Sequence, residues 1–323
     1  MCVIDVLEDK LPIEILKELL IDHTTGENIF WASLDYISLG KGFDFTDSIE
    51  IASVMGNNGR IIMPRVVKSI ELKKKRTIEK AEIFTPAWVC NDMCNAGDED
   101  YLAKDSYFNE SSYINGKYIW NACPKAIRFA DGVTWKDYVL RNCIEITCGE
   151  APYLVSRYDT TSGELIALPQ RIGLLDRKIR IVNENISNHN DWMLWVTKSF
   201  QTIYGYDWQG DNVLLARENL FYSFIEYYEE RWNEQPSIDK MIEIAKIISW
   251  NIFQMDGLKM VIPNSCKHGV LETVGNLFGE KEMITCEGCK TNSPNKHNGI
   301  PVRIMDWDKH KAIEFRSLYS KIK

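Results

Sequence analysis

The sequence predicts an α/β protein built on a parallel sheet. Two short apolar runs, Cys143-Ile144-Glu145-Ile146-Thr147 and Ile203-Tyr204-Gly205-Tyr206-Asp207, are each followed by long stretches of helical periodicity, and Asn251-Ile252-Phe253 continues the series. Strands alternating with helices imply βαβ units and a doubly wound sheet. The composition agrees. The 323 residues carry 38 Lys and Arg against 46 Asp and Glu, a formal charge of −8, with 45% hydrophobic and 26% charged residues. Those are globular proportions that exclude wholesale disorder. The net acidity excludes a simple polycationic wrapper of nucleic acid but permits a local basic groove.

The elements follow in order. Residues 11–22 carry apolar side chains three and four apart and predict an amphipathic helix. Asn28 to Ser38 and Ile61 to Val67 read as β-like runs, separated by a turn-rich stretch with Gly40, Gly42, Gly56 and Gly59. Lys68 to Lys80 is a basic helical segment containing the run Lys73 to Arg76, either a solvated face or a phosphate-contacting edge. Thr85-Pro86 predicts a helix start, with Thr as N-cap and Pro at the first helical position. A polar insertion over 97–130 has β character from Tyr113 to Phe129. A short helix, Trp135 to Leu140, leads into the first strand, and a helix is expected from Tyr153. Further helices are expected over Leu174–Asn185, Trp192–Phe200, Asp211 to about Arg231, and Ile238 to about Trp250. Trp192, Trp195, Tyr222, Phe224 and Tyr227 fall at helical spacing and read as core.

No apolar stretch approaches the roughly 18 residues of a membrane helix. Acids interrupt the apolar positions of residues 1–20, which therefore read as neither a span nor a secretory signal. Nine cysteines, an odd number scattered along the chain, suit a reducing compartment better than a disulfide framework, so a cytoplasmic location is expected.

Ligands of open α/β sheets bind at the carboxyl ends of the strands. The first strand ends at Cys148-Gly149-Glu150-Ala151, where small residues would let a ligand approach the backbone; a tight turn with no ligand is the plainer alternative. The second ends at Asp207, which is placed either to accept ribose hydroxyls or to cap the following helix. Near the carboxyl terminus, Cys266-Lys267-His268 and Cys286-Glu287-Gly288-Cys289 concentrate soft ligands. Four N/S donors suit tetrahedral zinc, with His297 in reserve. The alternative is free cysteines packed under a loop.

Phe84-Thr85-Pro86, Ile144 to Gly149, and Tyr204-Gly205-Tyr206-Asp207 through Ala216-Arg217-Glu218-Asn219-Leu220 occur in one order. That order resembles the amino-terminal half of N6-adenine DNA methyltransferases of restriction–modification systems. More narrowly, Ala81 to Pro86, Glu145 to Asp159, Gly205 to Leu220 and Ile248 to Leu258 resemble restriction endonuclease subunit M proteins along nearly the whole chain. The resemblance implies a Rossmann-like fold binding S-adenosylmethionine. It implies Phe84, Thr85 and Pro86 at the methionine end, and Glu145, Cys148 and Gly149 in the turn beneath. It also implies Asp207 on the ribose and Asp256 near the adenine, where Asp-Gly also suits an ordinary β-turn.

On this reading residues 1–80 form an N-terminal α+β region. Residues 81–260 form the Rossmann-like domain with insertions, and 261–323 a Cys-containing loop and β-hairpin. Three departures stand out. Glu150 and Ala151 occupy positions where the family has small residues. The interval from Cys148 to Asp207 far exceeds the roughly 20 residues of a compact unit. No two of the ten prolines are adjacent, so the Asp/Asn-Pro-Pro-aromatic run that holds a flipped adenine is missing. The chain therefore reads as a cofactor half that acts on DNA with a catalytic or restriction subunit. The alternative is an inactive DNA- or protein-binding module, in which the Lys73–Arg76 run, Lys178 and Arg180 would matter more.

Overall fold

A computed structural model describes residues 10–80, 82–272 and 281–319. The elements are α1 (Ile13–Leu20), α2 (Ile51–Val54), α3 (Ile70–Lys80), α4 (Ala87–Asp98), β1 (Asn109–Ile114), β2 (Lys117–Ala122), α5 (Trp135–Leu140) and β3 (Cys143–Ile146). They continue with α6 (Leu174–Asn185), α7 (His189–Gln201), β4 (Ile203–Asp207), α8 (Gly210–Trp232), α9 (Ile238–Asn251) and β5 (Ile252–Gln254). Two antiparallel pairs, β6 (Gly269–Glu272) with β7 (Lys281–Ile284) and β8 (Arg303–Asp306) with β9 (Lys311–Glu314), flank α10 (Glu287–Thr291); α11 (Arg316–Tyr319) follows. No helix among the described residues is long and apolar enough to cross a membrane, and Cys90, Cys94, Cys123, Cys143, Cys148, Cys266, Cys286 and Cys289 are free thiols.

The central sheet is parallel and runs β3-β4-β5 in sequence order. A doubly wound sheet reverses its strand order at a switch point. Among the described residues there is no reversal, and the three strands make one βαβαβ half. Right-handed crossovers in one direction put their helices on one face. Residue alternation shows this. Ile203 and Ile252 join the large core with Phe200 and Phe224 from α7 and α8. Tyr206 and Phe253 point the other way, into a second cluster with Ile262, Val302 and Ile304. The second face is thus roofed by the β8–β9 hairpin and the short α11 that follows it, rather than by crossover helices. Ile144 and Ile146 on the edge strand β3 stay 43% and 66% exposed.

The large core also takes in Leu16, Leu19 and Leu20 of α1, so the N-terminal segment packs directly on α8 and α9. Two expected β-like runs differ. Asn28 to Ser38 makes only single bridges, Ile21 with Asn28 and Phe30 with Ser48, and ends in a 3₁₀ turn at Ile37–Leu39. Arg65–Val67 is also 3₁₀. The helix expected from Tyr153 does not form. Pro152 and the left-handed Ala151, at φ +62°, set a turn there, and apart from a 3₁₀ turn at Leu168–Gln170 helix begins again only at Leu174. Helix α4 starts at Ala87, with Pro86 rather than Thr85 at the cap position. Its first N–H is met by the Asp159 carboxylate at 2.7 Å.

Arg217, fully buried in α8, ties these layers together. Its guanidinium donates to the carbonyls of Leu19 in the last turn of α1, Ile21 just beyond it, Ser249 in α9 and Ile252 in β5. Terminal helix carbonyls have no intrahelical donor, so a buried cation suits them. His23 packs nearby, its ring stacked on Trp250 at 4.1 Å with Nε2 2.8 Å from the Ser249 hydroxyl.

Burial first, then the Arg217 and Lys246 cations, bring His23 from 6.5 down to about 3. The folded chain therefore refuses a proton that the unfolded chain accepts. The stabilisation is complete above pH 6.5 and declines as pH falls toward 3. At pH 5 the loss is about 2 kcal/mol. Urea unfolding should show a lower midpoint at pH 5 than at pH 7, and His23→Gln should narrow the difference; an unchanged difference would contradict this assignment.

Candidate functional site

The turn after β3 is the most constrained backbone in the sheet. Thr147, Gly149 and Ala151 all take left-handed φ, at +51°, +53° and +62°. For a β-branched residue such as Thr147 that conformation is strained, and strain of this kind clusters at functional sites. Asp207, at the end of the neighbouring strand, holds the turn. Its Oδ2 accepts the Gly149 N–H at 3.0 Å, and its Oδ1 accepts the Gln209 N–H at 3.0 Å and the Asn212 amide at 3.4 Å. The Phe84 ring lies on Gly149, where a Cβ would fall 3.2 Å from Phe84 Cε1. The Arg65 guanidinium sits 5.3 Å from the ring centre on Phe84.

Buried acids underlie the turn. Glu145 accepts the Leu154 N–H at 3.3 Å, and burial pushes its carboxyl well above the usual range. Glu150 accepts from the Arg65 N–H at 2.5 Å and the Tyr158 hydroxyl at 2.7 Å; burial raises it too. Asp207 is likewise raised by burial, against the N–H groups of Gln209 and Gly149.

Phe84, Glu145, Cys148, Gly149 and Asp207 therefore converge at one sheet end. Thr85 and Pro86 turn away, toward the start of α4 and the 159–161 loop, with the Thr85 carbonyl accepting from the Thr160 hydroxyl. Asp256 lies one residue beyond Met255, whose N–H donates to the Asp207 carbonyl. Its carboxylate closes its own turn onto the Leu258 and Lys259 N–H groups, both at 3.1 Å, and pairs with Lys259 Nζ. That is the β-turn alternative.

The basic run is not a phosphate edge throughout. Arg76 is fully buried against the start of α8, bonded to Glu82 at 2.7 Å, Asp211 at 2.8 Å and Asp35 at 3.1 Å. Lys68 and the Tyr36 hydroxyl also reach Asp211. Against its burial, Arg76 and Lys68 hold the Asp211 carboxyl far below the usual range. Lys178 points inward to the Val139 carbonyl and Thr202 hydroxyl, and Arg180 is spent on Glu184 and the carbonyls of Phe108 and Cys123. This network was invisible in the sequence because its partners lie far apart along the chain. Only burial distinguishes Arg76 from its exposed neighbour Lys74.

A second constellation forms where the soft ligands were expected, with one exchange. Cys266, Cys286, Cys289 and His297 bring one ligand atom each within 4.8 Å of the others. His297 Nδ1 lies 3.6, 3.7 and 3.6 Å from the three sulfurs in that order. His268 is outside the group. It is exposed, and its Nδ1 accepts the Cys286 N–H at 3.4 Å. The chain runs through 265–268 without a turn into β6. With its Nδ1 turned to the Cys286 backbone, His268 leaves the fourth place to His297.

Comparison with family models, curated proteins and solved structures returns no match. The site is therefore defined by its geometry alone.

Removing Arg76 should leave Asp211 with only Lys68 and the Tyr36 hydroxyl, and take the guanidinium from Asp35 and Glu82 as well. Arg76→Met is expected to cost about 3–5 kcal/mol, whereas Lys74→Met should stay within about 0.5 kcal/mol. Guanidinium denaturation of the two variants gives the comparison, and equal effects would refute the network's role.

Proposed function

We propose that this chain is the S-adenosylmethionine-binding component of an N6-adenine DNA methyltransferase of restriction–modification type, carrying zinc in its Cys/His centre and working with a partner. One observation carries the reading. Phe84, the Cys148–Gly149 turn and Asp207 are distant in sequence, yet meet at the carboxyl ends of two adjacent parallel strands, where α/β sheets bind their ligands. The absence of a Cβ at Gly149 lets the Phe84 ring close on the turn, and an acid at the end of a strand, as Asp207 is, is the residue type that accepts ribose hydroxyls in dinucleotide sites. The chemistry is direct in-line transfer. Held by Phe84, the Cys148–Gly149 turn and Asp207, S-adenosylmethionine would supply the methyl group for the adenine N6, which would give up a proton in exchange. The partner holds the flipped base and supplies most of the grip on DNA, because this chain has net charge −8 and spends Arg76, Lys178 and Arg180 internally.

A second reading rests on a specific observation. Both Asp207 oxygens already accept protein donors, which suits a scaffold that has become a DNA- or protein-binding module. A ribose would have to displace the Asn212 amide or share an oxygen with it.

Titration calorimetry separates the two. The first reading predicts a saturable S-adenosylmethionine isotherm that Asp207→Ala weakens at least tenfold, with the fold verified by circular dichroism. An absence of heat at millimolar cofactor would overturn it in favour of the binding module.

A further inference from the structure

We infer that Cys266, Cys286, Cys289 and His297 form a closed, structural zinc site that fixes the Asp256–Val261 turn and the roof over the sheet's second face. The inference rests on the zinc part of the function proposed above and is independent of its methyltransferase part.

The nitrogen–sulfur separations are those of a tetrahedral site. With Zn–S near 2.3 Å and Zn–N near 2.0–2.1 Å, a sulfur and a nitrogen on one tetrahedral ion stand about 3.6 Å apart. The three observed distances are 3.6, 3.7 and 3.6 Å. Four protein donors fill the coordination sphere, which marks a structural ion rather than a catalytic one with an open position.

The local sequence is shaped to allow the approach. A Cβ at Gly288 would lie 2.5 Å from the His297 backbone nitrogen and 2.7 Å from its Nδ1. A Cβ at Gly299 would lie 2.6 Å from the Ser265 hydroxyl. Asn298 clamps the two halves of the site. Its side chain accepts the Lys267 N–H at 3.0 Å and donates to the Lys267 carbonyl at 3.1 Å, and its own N–H points at Cys286 Sγ at 3.3 Å. Outer contacts of this kind orient metal ligands. The His268 bond to the Cys286 N–H belongs to the same support.

The site connects to the sheet through a short ladder. Val261 bridges both Asp256 and Pro301, the Ile262 N–H donates to the Ile300 carbonyl, and the Val302 N–H donates to the Met260 carbonyl. Ile262 and Val302 then enter the cluster with Tyr206 and Phe253. Met255, at the other end of the turn, donates to the Asp207 carbonyl. Metal at one end of this ladder therefore holds the chain that leads to the candidate cofactor turn at the other.

The test uses the full chain, purified in the presence of reductant. Elemental analysis should find one zinc per chain. His297→Ala and Cys289→Ser should lose it, whereas His268→Ala should retain it. Cobalt exchanged into the wild-type chain should give the visible bands of a tetrahedral thiolate site, which reports the ligands even if a cysteine variant fails to fold. Hydrogen exchange at 256–262 and 298–304 should speed up at least tenfold when a chelator removes the metal. Absence of zinc, or its loss in His268→Ala and not in His297→Ala, overturns the ligand set. Zinc present with unchanged exchange overturns the stapling role alone. Failure of S-adenosylmethionine binding bears on neither.

Discussion

The structure depends on keeping a polar helix buried. Helix α8 is enclosed for most of its 23 residues, yet it carries Asp211, Asn212, Arg217, Asn219 and Ser223 into the interior, with Glu226 half-buried at its edge. Each is matched to a neighbour. Asp211 and Asn212 meet Arg76, Arg217 meets α1, α9 and β5, and Asn219 meets the Glu150 carbonyl and the Tyr158 hydroxyl. Glu226 receives Arg157 and Arg171. A buried charge that loses its partner is far more costly than one never buried, so every element that touches α8 is held in one position.

That constraint explains the architecture of the sheet end. Gly210, the first residue of α8, accepts close contact with the N-terminal segment, since a Cβ there would fall 2.1 Å from the Phe30 carbonyl oxygen. Gln254 in β5 bonds both backbone groups of Phe30. The N-terminal segment thus seals one side of the strand ends, while Asp207 and the Gly149 turn form the other. A half-sheet in sequence order places helices on one face only. The opposite face is closed by the β8–β9 hairpin, whose Ile304 packs with Tyr206 and Phe253.

Much of this was legible in the sequence, and the limits were physical. The three parallel strands, the long helices and the final hairpin follow from local periodicity, which is a local property. The runs at 28–38 and 61–67 have strand-like composition but find no strand to pair with, and pairing is not written in composition. Tyr153 begins no helix because Ala151 and Pro152 impose a turn. Phe84, Cys148, Gly149 and Asp207 were identifiable as a set, whereas the internal satisfaction of Asp207 and the self-closed turn of Asp256 required coordinates. Three of the four soft ligands were readable from cysteine spacing. The fourth was misplaced because His268 is near Cys266 in sequence, while His297 reaches the sulfurs through the space that Gly288 leaves.

The central claim is that the Gly149 turn, held by Asp207 under Phe84, receives S-adenosylmethionine. Hydrogen exchange across 144–155 with and without saturating cofactor tests it most directly. The account predicts slower exchange in that segment and at 203–210 when cofactor is present. Identical exchange in both conditions, at concentrations that saturate known users of the cofactor, would contradict it.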